Sequence, residues 1–118
     1  MRIEVRNGIP ISIIEKDSTK INSVSKMIDL MADARFNGCY GLVVFKEVLG
    51  EDFFDLKTGN AGEILQKFST YDMKIGIVGD FSIYKSKSLK DFIFESNKGK
   101  RVFFMVTVDK CLDNICKT

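Results

Sequence analysis

Two stretches of this chain concentrate residue types that can do chemistry at points where the backbone must change direction. The first is Glu51 to Phe68, EDFFDLKTGNAGEILQKF. Asp55, Thr58, Gly59, Gly62 and Glu63 fall where an acidic, aromatic segment turns into an amphipathic helix. A helix N-terminus leaves backbone N–H groups unpaired and carries partial positive charge. Thr58 can accept from the first turn. Gly59 and Gly62 remove side-chain bulk, so a partner's backbone or an anion can approach closely. Glu63 suits the dipole. The same residues also make an ordinary capped helix start, and both readings stand at this point.

The second stretch is Gly79-Asp80-Phe81-Ser82, followed by Ser86-Lys87-Ser88 with Lys85 and Lys90 beside it. In open parallel sheets, ligands bind outside the carboxyl ends of the strands. Asp55 and Asp80 both follow strand-like runs, so both belong at that edge. Two carboxylates there suit general acid/base work or Mg²⁺; equally, Asp80 can bond loop N–H groups. Lysines around a helix start at Ser88 suit a phosphate, but no G-x-x-x-x-G-K-[ST] loop precedes them. Phe53 and Phe54 are adjacent and, if extended, face opposite ways; an exposed Phe would be a docking hot spot. Burial of both is the plainer expectation.

The whole composition narrows the chemistry. The 118 residues suit one domain, and 45% hydrophobic content supports one core. Eighteen Lys and Arg against 16 Asp and Glu give net +2. That balance argues against a nucleic-acid partner, which calls for a larger basic excess. There is no His, so Ser-His and Cys-His catalysis and the commonest zinc ligand are excluded. Cys39, Cys111 and Cys116 have no C-x-x-C spacing, and free buried thiols are expected rather than disulfides or a metal site. The five-residue step from Cys111 to Cys116 puts them on different faces of a helix. The start, MRIEVRNGIP, lacks an apolar signal region, and the apolar runs are too short to cross a membrane. A soluble cytoplasmic protein with no membrane partner and no cofactor is expected.

The elements that must position these residues follow from periodicity. Residues 2–6 and 9–14 flank Asn7-Gly8, a type I′ hairpin signal. Pro10 confines its strand's start to an edge or to the strand's beginning. Asp17, Ser18 and Thr19 offer an N-cap to a helix with Ile21, Val24, Ile28 and Met31 on one stripe. Tyr40 to Phe45 and Lys74 to Val78 read as buried central strands. Ala61, Ile64, Leu65 and Phe68 form the apolar face of a second helix starting near Thr58, with Gln66 and Lys67 on its outer side. A third helix begins near Ser88, with Asp91 completing a capping-box-like pair and Asn97 to Gly99 ending it. Asn97 can also bond a neighbouring loop. Arg101 to Val108 is the last strand, and Asp109 caps a short final helix. The order is β-β-α-β-α-β-α-β-α: a single-domain α/β fold with a mostly parallel five-stranded sheet and an N-terminal hairpin.

The run EDFFDLKTGNAGEILQKF, then IVGDFS (77–82), then SKSLKDFIFESNKG (86–99) resembles a bacterial family known as domain-of-unknown-function family 4180. The resemblance covers nearly the whole chain and implies no reaction. The element order is also similar to the STAS domain, the fold of anti-sigma-factor antagonists. That resemblance implies a phospho-acceptor near the start of the helix after the third strand. Asp55 to Gly59 (DLKTG) resembles the Asp-Ser-Ser-Gly turn there, with one extra residue and with Thr58 in the acceptor's place.

Two functions are therefore expected of this edge. One is a non-enzymatic regulatory module that docks a protein partner through 53–63 and 80–88, switched by phosphorylation at Thr58 or a nearby Ser such as Ser82 or Ser88. The other is a small-molecule or nucleotide site, or an enzyme, with Asp55, Asp80, Ser82 and Ser88 as polar contacts. The apolar last strand, VFFMV, offers a route to a homodimer if it lies at an open sheet edge.

Overall fold

The computed structural model describes residues 2–117. Its elements run β1 (Arg2–Arg6), β2 (Ile9–Ile13), α1 (Val24–Phe36), β3 (Gly41–Phe45), α2 (Lys46–Leu49), α3 (Glu51–Phe54), a 3₁₀ turn (Leu56–Thr58), α4 (Asn60–Thr70), β4 (Lys74–Val78), α5 (Lys87–Lys98), β5 (Val102–Met105) and α6 (Val108–Ile115). The strands form one sheet in the order β1-β2-β3-β4-β5. β1 is antiparallel to β2, and the remaining pairs are parallel. The α/β class, the hairpin and the mixed five-stranded sheet agree with the expected order. Two short helices and a 3₁₀ turn are added between β3 and α4.

Asn7 and Gly8 both have positive φ, at 54° and 77°, as a type I′ turn requires. Pro10 is the second residue of β2, and pairing of β2 with β3 begins only at Ser12. The missing N–H therefore interrupts no ladder between them.

The sheet sorts its residues by alternation. Leu42, Val44, Ile75, Ile77 and Phe104 face α1, α4 and α5, where Met27, Met31, Ile64, Phe68 and Leu89 complete the larger core. Val43, Val78 and Phe103, with Ile11 and Ile13, face α6 and its Cys111, Leu112 and Ile115. Successive right-handed crossovers in one direction put α1, α4 and α5 on the same face. After β5 no further strand follows, and α6 folds onto the opposite face. Gly76 is needed there: a Cβ would lie 2.7 Å from both the Cβ and the Sγ of Cys111.

Several caps differ from expectation. Ser23, not the 17–19 segment, caps α1 by accepting from Lys26 N–H. Ile21 lies outside the helix because its N–H donates to Val48 O at 2.8 Å, which holds it extended. Ser86, not Ser88, caps α5, accepting from Leu89 N–H at 3.2 Å. Asp91 instead meets Lys87 at 2.7 Å. Thr107, not Asp109, caps α6, which leaves Asp109 to bind Arg6 at 3.0 Å. The 53–54 segment is helical rather than extended. Gly50, at φ 78°, turns the chain into α3, and Phe53 and Phe54 are both buried, at 1% and 5% exposure. Cys116 lies beyond α6 as its C-cap, so both it and Cys111 reach the interior; all three cysteines are free and buried.

β5 is a sheet edge, but not a bare one. The N–H of Phe104 donates to Asn97 Oδ1 at 2.7 Å, and its carbonyl accepts from Asn97 Nδ2 at 3.1 Å. Asn97 thus bonds the strand next to its own helix end.

Candidate functional site

The chain leaves β3 and β4 at the same end of the sheet, since the two strands are parallel. The first exit builds α2, α3 and the 3₁₀ turn. The second runs irregularly from Gly79 to the Ser86 cap of α5. Between them lies a groove of about 750 Å³. Glu51, Asp52 and Asp55 line one wall with Lys57; Lys85, Ser86 and Ser88 line the other, and Phe54 and Tyr84 meet between them. A groove of similar size, about 700 Å³, lies between residues 13–21 and α1, but none of the candidate residues lines it.

The apolar contacts at this end come from aromatic rings. Tyr84 stacks on Phe54 with centroids 5.1 Å apart and planes 17° apart. Phe81 touches Phe54 at 5.9 Å and meets Phe104 edge-on at 5.3 Å. Lys46 Nζ donates to the Tyr84 hydroxyl at 3.2 Å and lies 4.9 Å from the ring centroid. The lysine stem crosses Gly79 so closely that a Cβ there would sit 2.5 Å from its Cδ. Burial pulls the Lys46 pKa down, but the Tyr84 hydrogen bond and the nearby Glu51 and Glu47 carboxylates outweigh it and leave it raised.

The polar candidates are bound mostly within their own turns. Asp55 Oδ1 accepts from Lys57 N–H at 3.2 Å. Thr58 Oγ1 lies 2.9 Å from the carbonyls of both Asp52 and Asp55, to one of which it donates, and it accepts from Asn60 N–H at 3.2 Å. The first-turn acceptor role expected of Thr58 is thus present at one bond. Gly59 takes φ 75° and ends the 3₁₀ turn in the left-handed region. A Cβ on Gly62 would meet nothing within 4 Å, so packing within the chain does not demand glycine there. Glu63 is exposed on the first turn of α4. Asp80 Oδ1 accepts from the Ser82 hydroxyl at 2.5 Å and from its N–H at 3.0 Å. Those two bonds, the hydroxyl first, hold the Asp80 carboxyl below the usual range.

Of the candidates, Asp55 and Ser88 line the groove. Phe81 supports it through Phe54. Thr58, Gly59, Gly62 and Glu63 continue from its acidic wall into α4. Asp80 and Ser82 pair with each other in the turn that precedes Tyr84. Among the described residues no group of three or more Cys, Asp or Glu side chains is placed to hold a metal ion. Among the described residues no helix is long and apolar enough to cross a membrane.

Lys46 belongs to this site and lies outside the stretches the sequence marks, while Asp52 and Tyr84 lie inside them without being singled out. Lys46 carried a signal: it directly follows the apolar run of a central strand, at the carboxyl end where sheet ligands bind. Tyr84 carried none, because its contact with Phe54 is long-range.

A family model described as Domain of unknown function (DUF4180) matches residues 6–115, and the chain belongs to that family. No curated protein and no solved structure matches it.

Proposed function

We propose that this member of the DUF4180 family is a non-enzymatic regulatory module that docks another protein in the groove between α3 and the start of α5. The observation that carries the reading is the make-up of the groove: three carboxylates beside an aromatic contact, at the edge where two exits from the sheet meet. The groups that would do chemistry, Asp80, Ser82 and Thr58, are spent on their own turns. A surface of this kind suits a protein segment that offers a cation to Asp52 or Asp55 and an apolar side chain to Phe54 and Tyr84. Burial of all three thiols fits the reducing cytoplasm in which we place the protein.

Thr58 is the proposed switch. Its hydroxyl donates to one of the two carbonyls, of Asp52 and Asp55, that close α3 and open the 3₁₀ turn. A phosphate there removes that donor and adds about −1.5 to −2 charge beside an acidic wall. The 3₁₀ turn then loosens, and the groove changes shape and potential. The similarity of element order to anti-sigma-factor antagonists motivates this role by analogy.

The test uses the full chain as bait in extract of its source cells, in four forms: wild type, Asp52→Lys/Asp55→Lys, Thr58→Glu, and Lys110→Glu on α6 as a control. A protein retained by wild type and the control, lost with the double variant and altered with Thr58→Glu, supports the reading. Identical capture by all four forms sinks it. The second reading, a nucleotide or other phosphate-bearing ligand, is favoured only by Lys85, Ser86 and Ser88 at the start of α5, and the three carboxylates oppose it. A thermal-shift panel of nucleotides with Mg²⁺ separates the two, since a bound ligand raises the midpoint by mass action.

A further inference from the structure

The two edges of the sheet are finished differently. At β5, the Asn97 amide occupies the outward N–H and carbonyl of Phe104. At β1, the only strand neighbour among the described residues is β2. The two-residue turn at Asn7-Gly8 makes Arg6 and Ile9 the first hydrogen-bonded pair. Pairs alternate from there, so Val5–Pro10 and Ile3–Ser12 are the non-hydrogen-bonded pairs. Pro10, which has no N–H, fits such a position. The N–H and C=O groups of Ile3 and Val5 therefore point away from β2, along the outer edge. Their side chains are also exposed, at 42% and 64%.

We propose that β1 pairs with β1 of a second copy of this chain, antiparallel across a two-fold axis, so that two five-stranded sheets become one. Charge favours a second copy as the partner and narrows the register. Arg2, Glu4 and Arg6 share the face of the sheet that carries α6, as Arg6 shows by binding Asp109 and Asp113 there. With Ile3 opposite Ile3 of the second copy, Arg2 faces Glu4 of the copy and Glu4 faces its Arg2. Opposite charges directly across strands stabilise a pair, and like charges destabilise it. Centring the axis on Glu4 instead sets Glu4 against Glu4 and Arg2 against Arg6, so that register is disfavoured. Centring it on Val5 sets Glu4 against Arg6, but Arg6 is already held by Asp109 at 3.0 Å and Asp113 at 2.6 Å. On the other face, Ile3 meets Ile3, and the exposed apolar surface of both copies becomes continuous. A closed two-fold contact of this type uses one patch twice and stops at two chains. It leaves the groove at the carboxyl ends of β3 and β4 free.

Mass measured by light scattering after size exclusion, across a concentration series, tests the proposal. Wild type is expected at twice the chain mass. Ile3→Pro removes the outward N–H on the two-fold axis without touching the β1–β2 ladder and is expected to halve the mass with the fold retained. Ile3→Lys, which sets two like charges directly across the axis, is expected to do the same. Arg2→Glu is expected to give a monomer, and Arg2→Glu/Glu4→Arg to restore the dimer by exchanging the charges. A wild-type monomer at every concentration, or a dimer unmoved by both Ile3 variants, overturns the proposal. A double variant that stays monomeric overturns its register.

Discussion

The two walls of the groove are held in opposite ways. The wall after β3 is regular and rooted in the core. Val48, Leu49, Phe53 and Phe54 from α2 and α3 are all buried, while their neighbours Glu51 and Asp52 face solvent. The wall after β4 is irregular. It is tied to the molecule by Phe81 and Tyr84 resting on Phe54, by the Lys46 contact and by one Asp80–Ser82 turn, and its Ile83 is 57% exposed. Segments with few buried apolar contacts open at lower free-energy cost than the core. The acidic wall is thus a fixed platform, and the lysine- and serine-bearing wall is the part able to adjust.

Removing the root of the first wall has the largest expected effect. Phe53→Ala leaves a cavity in the larger core and is expected to cost about 3–5 kcal/mol in denaturant unfolding. A loss near zero means that α3 is not anchored by this ring. Tyr84→Ala strikes the second wall. Loss of its stacking and burial is expected to cost about 1–2 kcal/mol. The sharper readout is hydrogen exchange, which is expected to rise in 79–86 and stay level in 46–58. Equal acceleration in both segments dissolves the contrast between the walls.

Thr58→Val keeps the shape of the side chain and removes its hydroxyl bonds, for an expected loss of about 0.5–1.5 kcal/mol. The exchange increase is expected in the 3₁₀ turn and not beyond Tyr84. Ser82→Ala has the smallest effect. Asp80 is held below the usual carboxylate range, so its bonds to Ser82 contribute above the unfolded pKa and are lost as pH falls through the folded one. In Ser82→Ala the Asp80 carboxyl is expected to titrate closer to its ordinary value by NMR; an unmoved titration removes Ser82 as the cause. The buried thiol gives an alkaline counterpart away from the groove. Burial pushes Cys111 up to about 12, so its contribution is whole below the unfolded thiol's pKa and is lost as pH rises from there through the folded value. A Cys111→Ala variant is expected to show a flatter alkaline limb.

Much of the framework was legible because it follows from short-range patterning. Tyr40 to Phe45 and Lys74 to Val78 are buried runs, Asn7-Gly8 permits two positive φ angles, and the alternation of strand and helix implies a parallel sheet. Caps were less legible. Asp17, Ser18, Thr19 and Ser23 all carry a suitable oxygen, and only the Ile21–Val48 hydrogen bond decides which one starts α1. Ser86 and Ser88 pose the same ambiguity. The 51–58 segment hid its structure because single helical turns are too short to show a period, and the turn at Gly50 announces itself only in φ. The stacking of Tyr84 on Phe54 joins residues distant in the chain, so no local pattern marks the groove. Asn97 carried the hint of a loop bond, but its strand partner came from the fold.

The most direct measurement is photo-crosslinking from the groove itself. A photoreactive residue at Ser88, on the adjustable wall, is compared with one at Lys110 on α6, on the far face of the sheet, in otherwise unaltered protein in its source cells. The account predicts one adduct with another protein from position 88 that is absent from position 110 and weakened by Asp52→Lys/Asp55→Lys. Adducts that are identical from both positions, or that are indifferent to the acidic wall, contradict it.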